Sequence, residues 1–170
     1  MNTSTIKSSL FNWLNTEFGG GLTPIFARQN SPRPQKPYAT IQLQSLSMMG
    51  QDELRSIDDS GIATIGGQRK MTIDLNIYGP DALGLMHQAQ SSLSKQSVLD
   101  AFYESEIAIW NVGDAKDLTA LLETNWEERA QMDVFIGFAN NINDDLGIIE
   151  KVDLSGQINN TTIAPFEIAV

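Results

Sequence analysis

The sequence has no cysteine and a single histidine, His87. The first absence excludes disulfides, thiolate metal sites and cysteine nucleophiles. The second leaves neither a partner for His87 in an ordinary zinc site nor a separate base for a nucleophile elsewhere. His87 is expected at the surface, on the polar side of a helix. No apolar run approaches the roughly 20 residues that a membrane span needs. Met1-Asn2-Thr3-Ser4-Thr5 lacks a basic region followed by an apolar block, so no secretory signal is visible and folding in a cytoplasm is expected. Positive charge is scarce: 11 Lys and Arg stand against 21 Asp and Glu, a net of −10. The imbalance is local. Residues 1–97 hold 8 basic and 7 acidic side chains, residues 98–153 hold 3 and 13, and Glu167 alone follows. Binding to phosphate backbones needs clustered Lys and Arg, so direct recognition of nucleic acid is disfavoured. A protein past which DNA slides without sticking is compatible with this charge.

What is present is an ordinary globular composition, 41% apolar and 19% charged over 170 residues. That suits one domain with a sizeable core. Ile6, Leu10, Trp13 and Leu14 recur at helical spacing, which predicts an amphipathic helix over 3–18 that Gly19-Gly20-Gly21 stops. Three prolines in 30–37 require extended chain there. Tyr38–Met48 reads as a strand, 50–61 as a polar loop or hairpin tip, and Ile62–Tyr78 as a long β stretch interrupted at Gly66-Gly67. Met71, Ile73, Leu75 and Ile77 face the core in alternation with Thr72, Asp74 and Asn76. Gly79-Pro80-Asp81 opens a helix held to the sheet by Leu83, Met86 and Leu93. Ser97 and Asp100 suggest a capping box for a short helix over 98–104. Strands follow at 107–112 and 131–139, with a turn at 119–122, a polar loop at 140–147 and a last core strand at 148–154. The fold class expected is α+β: helices packed on a mixed, largely antiparallel sheet.

No catalytic motif emerges. Asn141 to Gly147 alternates oxygen donors like a calcium loop, but the glycine falls one position late and Val152 stands where the closing glutamate belongs. Gly66-Gly67-Gln68-Arg69-Lys70 and Gly19-Gly20-Gly21 lack the Gly-Lys-Ser/Thr of a phosphate cradle. Pro34-Gln-Lys-Pro37 matches a loose proline-ligand pattern, which an extended lead-in to the next strand also explains. Carboxylates are abundant, and spacing alone leaves a paired-acid hydrolase open, but a solvated acidic face is their usual meaning. Around Trp126, the run Glu123-Thr-Asn-Trp-Glu127-Glu128-Arg129 is unusual for plain surface. Tryptophan and arginine are enriched at contact centres, and a tryptophan capping the core edge beside a local Arg129 salt bridge is the competing reading.

Three blocks carry a resemblance. They are Asn30-Ser-Pro-Arg-Pro with Pro37-Tyr38-Ala39; Gly66-Gly-Gln-Arg-Lys-Met-Thr-Ile73 with Tyr78-Gly79; and Val112-Gly-Asp114 with Asp117-Leu118 through Trp126-Glu-Glu-Arg129-Ala130. In order and spacing, from about residue 4 to about Ile158, the chain resembles the neck or tail-terminator proteins of tailed phages. The resemblance implies a tail-terminator-like fold over 1–156 and leaves 157–170 as a C-terminal arm. It implies a structural virion protein without cofactor or reaction, located in the tail or neck and assembled in the host cytoplasm. Six copies would form a ring that caps the tail tube, stops its polymerisation and meets the head–tail connector. Its partners would be itself, the tube protein, the connector and the sheath protein as a further neighbour. DNA would pass through without specific binding, and no membrane is involved. A head-completion ring on the connector side is the alternative within the virion, and a soluble acidic enzyme the alternative outside it. A chain of this length has a gyration radius of about 15 Å. Six such bodies in a hexagon leave a hole of about 40 Å, wide enough for a duplex. Expected contact residues are Arg69, Trp126, Arg129, Phe166 and Ile168, the last two from the alternating stretch of the arm. Expected channel-facing acids are Asp114, Asp117, Glu123, Glu127 and Glu128.

Overall fold

A computed structural model describes residues 3–122, 125–148, 151–158 and 161–169; for residue 122 and the last two segments it is the backbone path that is described. Residues 1–51 with 67–140 form one compact unit, and 52–66 with 141–170 form a second.

In the first unit, helix α1 (Thr3–Phe18) buries Ile6, Leu10, Trp13 and Leu14, the four positions its apolar period selects. It ends where Gly19 and Gly20 take φ of 53° and 90°. Side chains with a Cβ resist that left-handed conformation, so glycine ends helices this way. The Gly19 N–H donates to the Asn15 carbonyl and the Gly21 N–H to that of Phe18. Strand β1 (Thr23–Phe26) then lies parallel to the start of β2 (Tyr38–Ile57), with Thr23 opposite Tyr38 and Phe26 opposite Ile41. The strand β3 (Ile62–Tyr78) returns beside β2 and leads into helices α2 (Ala82–Ser92) and α3 (Gln96–Glu104). The short strands β4 (Ala108–Val112) and β5 (Lys116–Asp117) come next, then β6 (Ala120–Leu122), β7 (Asn125–Glu127) and the long β8 (Arg129–Asp145). The main sheet has the order β1-β2-β3-β8-β4, and β5 pairs with β8 beyond β4. Strands β4 and β8 run antiparallel.

Alternation decides what each face carries. Ala39, Ile41, Met71, Ile73, Leu75 and Ile77 point to one side, with Met132, Val134, Ile136 and Phe138 of β8. All three helices cover that side, through Leu10, Trp13, Met86, Ala89 and Phe102 among others. Trp13 brings a polar edge into this core, and it is satisfied: Nε1 donates to Ser92 Oγ at 2.9 Å, and Ser92 Oγ donates to the Ala89 carbonyl at 2.7 Å. Its ring packs against Phe102 with centroids 6.2 Å apart. The class is therefore α+β, as the pattern of elements requires, with helices on one face of a mixed sheet.

In the second unit, β2 turns into β3 at Asp58–Gly61. The Asp58 carboxylate accepts from the Ser60 and Ile62 N–H groups, each at 2.9 Å, as turn aspartates do. Strand β8 ends there at Asp145, and β9 (Lys151–Ile158) forms an antiparallel hairpin with β10 (Thr161–Ala169).

Several local expectations need correction. Residues 140–147 are strand as far as Asp145, and β3 runs through Gly66-Gly67 unbroken. The polar side chains there reflect exposure, not loop. Of the two readings of 50–61, the exposed hairpin tip is the one found: strand to Ile57, then the turn at Asp58–Gly61. Residues 120–122 are a strand, not a turn, because they find a partner in β7. Strand β9 pairs with β10 in a two-stranded sheet of its own, so the segment expected to close the core does not join the main sheet among the described residues. Alternation identifies a strand but not its partner. Residues 157 and 158 are the end of β9, and 161–169 are β10. Leu83 is exposed; Ala82, Met86, Ala89 and Ser92 are the buried positions of α2. Helix α3 starts at Gln96 with Lys95 as its N-cap and no side-chain cap; Asp100 instead accepts from Gln96 Nε2 at 2.7 Å.

Candidate functional site

The side of the main sheet away from the helices is built from the alternate residues of the same strands, and it is polar. Arg129 donates from Nε and Nη2 to Asn76 Oδ1, at 3.2 and 2.8 Å. Asn76 Nδ2 donates to Asp74 Oδ2, and Gln131 Nε2 donates to both Asp74 Oδ1 and Asp133 Oδ1, all at 3.0 Å. These pairs run in opposite senses along β3 and β8, as antiparallel neighbours must. Tyr38 and Tyr78 stack with centroids 5.0 Å apart. The guanidinium of Arg129 lies 5.2 Å from the Tyr78 ring centroid and that of Arg33 lies 6.0 Å from it. The chain after β1, residues 27–34, folds over this platform and encloses a cleft of about 480 Å³. Its polar lining includes Arg28, Arg33, Arg129, Asp74 and Asn76. Arg28 takes φ 62°, unusual for a residue with a Cβ.

A second feature is the hairpin of β6 and β7, which pairs Leu121 with Trp126. Both stand in solvent, Trp126 with 72% of its surface exposed and Leu121 with 53%. Leu118 beside them is also exposed. An exposed tryptophan–leucine pair is a stronger surface signal than a lone apolar residue. Midway along β8, a bulge in β4 between Ile109 and Asn111 turns Trp110 over Gly137. A Cβ on Gly137 would stand about 2.0 Å from the Trp110 ring, so only glycine admits the indole there.

The expected contact and channel residues divide accordingly. Arg69 is half-buried and donates from Nη1 to its neighbour's carbonyl, that of Gln68. Arg129 is occupied by Asn76 and Tyr78 of its own subunit. Phe166 and Ile168 lie in β10, opposite Leu154 and Val152. Asp114 is exposed beside a hollow that His87 also lines, and His87 itself stands at the surface of α2. The Asp117 carboxylate accepts from the hydroxyl and then the N–H of Thr119, which hold it below its usual range. Glu127 pairs with Lys36 at 2.5 Å. Glu128 accepts from the Asp81 N–H at 2.8 Å, while its carbonyl accepts from the Gly79 N–H. Two of the five acids thus fasten neighbouring loops of their own subunit. Glu123 lies outside the described residues. Among the described residues no group of three or more His, Asp or Glu is placed to hold a metal.

Sequence reasoning missed the cleft. The available signal was Arg28 just before the proline-rich segment and Arg33 within it, in a chain poor in bases. It also missed the exposed Leu46, Met48 and Met49 on β2, and Leu54 and Ile57 beyond them. Leu46 and Met48 continue the alternation of Ile41 and Leu43 one step out of phase, so nothing local marks them as exposed.

The family model of the phage neck terminator protein matches residues 5–162. The chain belongs to that family. This makes the neck terminator a structural component of a phage neck, and no curated protein matches it closely enough to add a finer statement. The match covers every element from α1 to the start of β10, including the cleft and the Trp126 hairpin.

Proposed function

We propose that this neck terminator ends the tail tube by forming a six-membered ring on its last layer, stops further polymerisation there and gives the head connector a surface to join. The observation that carries the reading is the family match across residues 5–162. Two features support it. Trp126 and Leu121 offer an apolar contact that the subunit leaves in solvent, and truncating such a tryptophan at a contact centre often costs about 2 kcal/mol or more of binding. The acid excess of residues 98–153 suits a ring through which DNA moves, since a basic lumen would hold phosphates. Asp114 and Asp117, both exposed, are the acids best placed for such a wall, with Glu123 as the third candidate. The tube, connector and sheath proteins are the partners in this reading, and residues 157–170 are an arm that reaches one of them or a neighbouring copy. Electron microscopy of particles lacking the protein tests it. Full heads and unattached tails of irregular, excessive length are expected; tails of normal length joined to heads would overturn it.

A further inference from the structure

The first unit carries two unpaired charge clusters of opposite sign, and they lie far apart. One is the cleft. Among the described residues no hydrogen bond or ion pair engages the guanidinium of Arg28 or of Arg33, and both are exposed. The one carboxylate lining the cleft among the described residues, Asp74, already accepts from Asn76 and Gln131. The cleft is therefore a cationic recess with an aromatic floor in a protein of net charge −10. The other cluster is at the end of α3. Among the described residues no hydrogen bond or ion pair engages the carboxylates of Glu104 and Glu106, and Tyr103, in the last turn of α3, has 82% of its surface in solvent. Glu106 takes φ 58°, one of three positive-φ non-glycine residues among the described residues, with Arg28 and the N-cap residue Asp81.

The placement matters as much as the charge. Arg28 and Arg33 follow β1, one edge of the main sheet, whereas Glu104 and Glu106 precede β4, the other edge. Along β8 the cleft is met at Arg129 and the acidic end at Phe138, nine residues away. At about 3.3 Å per residue that is roughly 30 Å. The two clusters cannot neutralise each other within one subunit. They are two unlike patches on one chain, which a head-to-tail contact requires and a two-fold contact does not.

We infer that the arginine cleft receives the Tyr103-Glu104-Glu106 edge of a second copy of this chain. Arg28 and Arg33 supply planar donors to the two carboxylates, and Tyr103 reaches the Tyr38–Tyr78 platform. The inference rests on the ring reading above and names the contact that closes the ring. It places the ring's specificity in charge, so that association falls as salt shortens the Debye length from about 10 Å at 0.1 M.

Charge reversal tests it, read by native mass spectrometry and sedimentation of the full chain, and by microscopy of terminator-less tails supplemented with each protein. Arg28→Glu with Arg33→Glu makes cleft and edge both acidic; Glu104→Lys with Glu106→Lys makes both basic. Each double variant, folded by circular dichroism, is expected to self-associate at least tenfold more weakly than the wild type. An equimolar mixture of the two restores assembly, because every contact in an alternating ring is again between opposite charges. The fourfold variant restores it alone. Double variants that assemble like the wild type, or a mixture that fails to assemble, overturn the inference and leave the ring reading standing. So do double variants that close rings but no longer dock on tails, since the cleft then serves an acidic segment of the tube. A wild type that stays monomeric both free and on tail ends overturns the ring reading, and this inference with it.

Discussion

The two faces of the main sheet are written in the same strands, one residue out of step, yet they are built on opposite principles. Ile73, Leu75 and Ile77 meet the helices, and Asp74, Asn76 and Tyr78 meet the cleft. The apolar face gains from removing surface from water, roughly 25 cal/mol per Å², and tolerates no gap. The polar face gains little net stability from its hydrogen bonds, about 1 kcal/mol each, but loses more when a partner is removed and a donor is stranded. One face therefore sets stability. The other sets the positions of Arg129, Tyr78 and the loop over them.

This contrast is open to direct attack. Leu75→Ala, on the helix side, is expected to cost about 2–5 kcal/mol, measured by urea unfolding. A value below 1 kcal/mol would mean that the helices do not seal this face. Asn76→Ala, one residue along, strands two N–H groups of Arg129 and is expected to cost about 1–3 kcal/mol. Asn76→Asp keeps the acceptor for Arg129 but loses the amide donor and sets a second carboxylate beside Asp74, so it is expected to recover only part of that loss. Equal costs for the two variants would show that the Asn76–Asp74 bond, which both lose, outweighs the acceptor offered to Arg129. Trp126→Ala removes no buried contact and is expected to shift stability by no more than about 0.5 kcal/mol, while it weakens assembly more than folding, as read by sedimentation of the same preparation.

A small, pH-dependent effect concerns Glu17, on α1, which accepts two hydrogen bonds from Lys95 Nζ at 2.9 and 2.8 Å. The Lys95 bond holds its carboxyl below the usual range, against the raising effect of partial burial. A depressed carboxylate stabilises the folded chain above its unfolded value, about 4.3, and that stability is lost as pH falls through the depressed folded value. Glu17→Gln is thus expected to lower the Tm slightly at pH 7, by less than about 1 kcal/mol in stability, and to match the wild type once pH falls below both values. A difference that grows on acidification would contradict the pairing.

The legible parts of this protein are those governed by local rules. The period of Ile6, Leu10, Trp13 and Leu14 marks α1 and its buried face, and Gly19 marks its end. Alternation over 71–77 and 132–138 marks the two central strands and their core side. Leu83 misled because its helical phase is one step from that of the buried Ala82 and Met86, and a small alanine is a weak signal. Residues 140–145 misled because polar strand and polar loop read alike when no face is buried. The cleft was invisible for a different reason. Arg33 and Arg129 are 96 positions apart in the sequence, and no local spacing reports that both reach Tyr78.

The sequence by itself determined the absence of thiol chemistry, the skewed charge, the α+β class and the family blocks, because composition and short-range periodicity are properties of the chain before it folds. Tertiary structure decided which strand each strand joins, that Glu127 and Glu128 hold residues 36 and 81 of their own subunit, that Trp126 stands in solvent, and that Arg28 and Arg33 share a recess while Glu104 and Glu106 occupy the opposite edge. Those outcomes depend on pairing between residues tens of positions apart. Such contacts are fixed by the collective packing of the core and not by any one segment's preference.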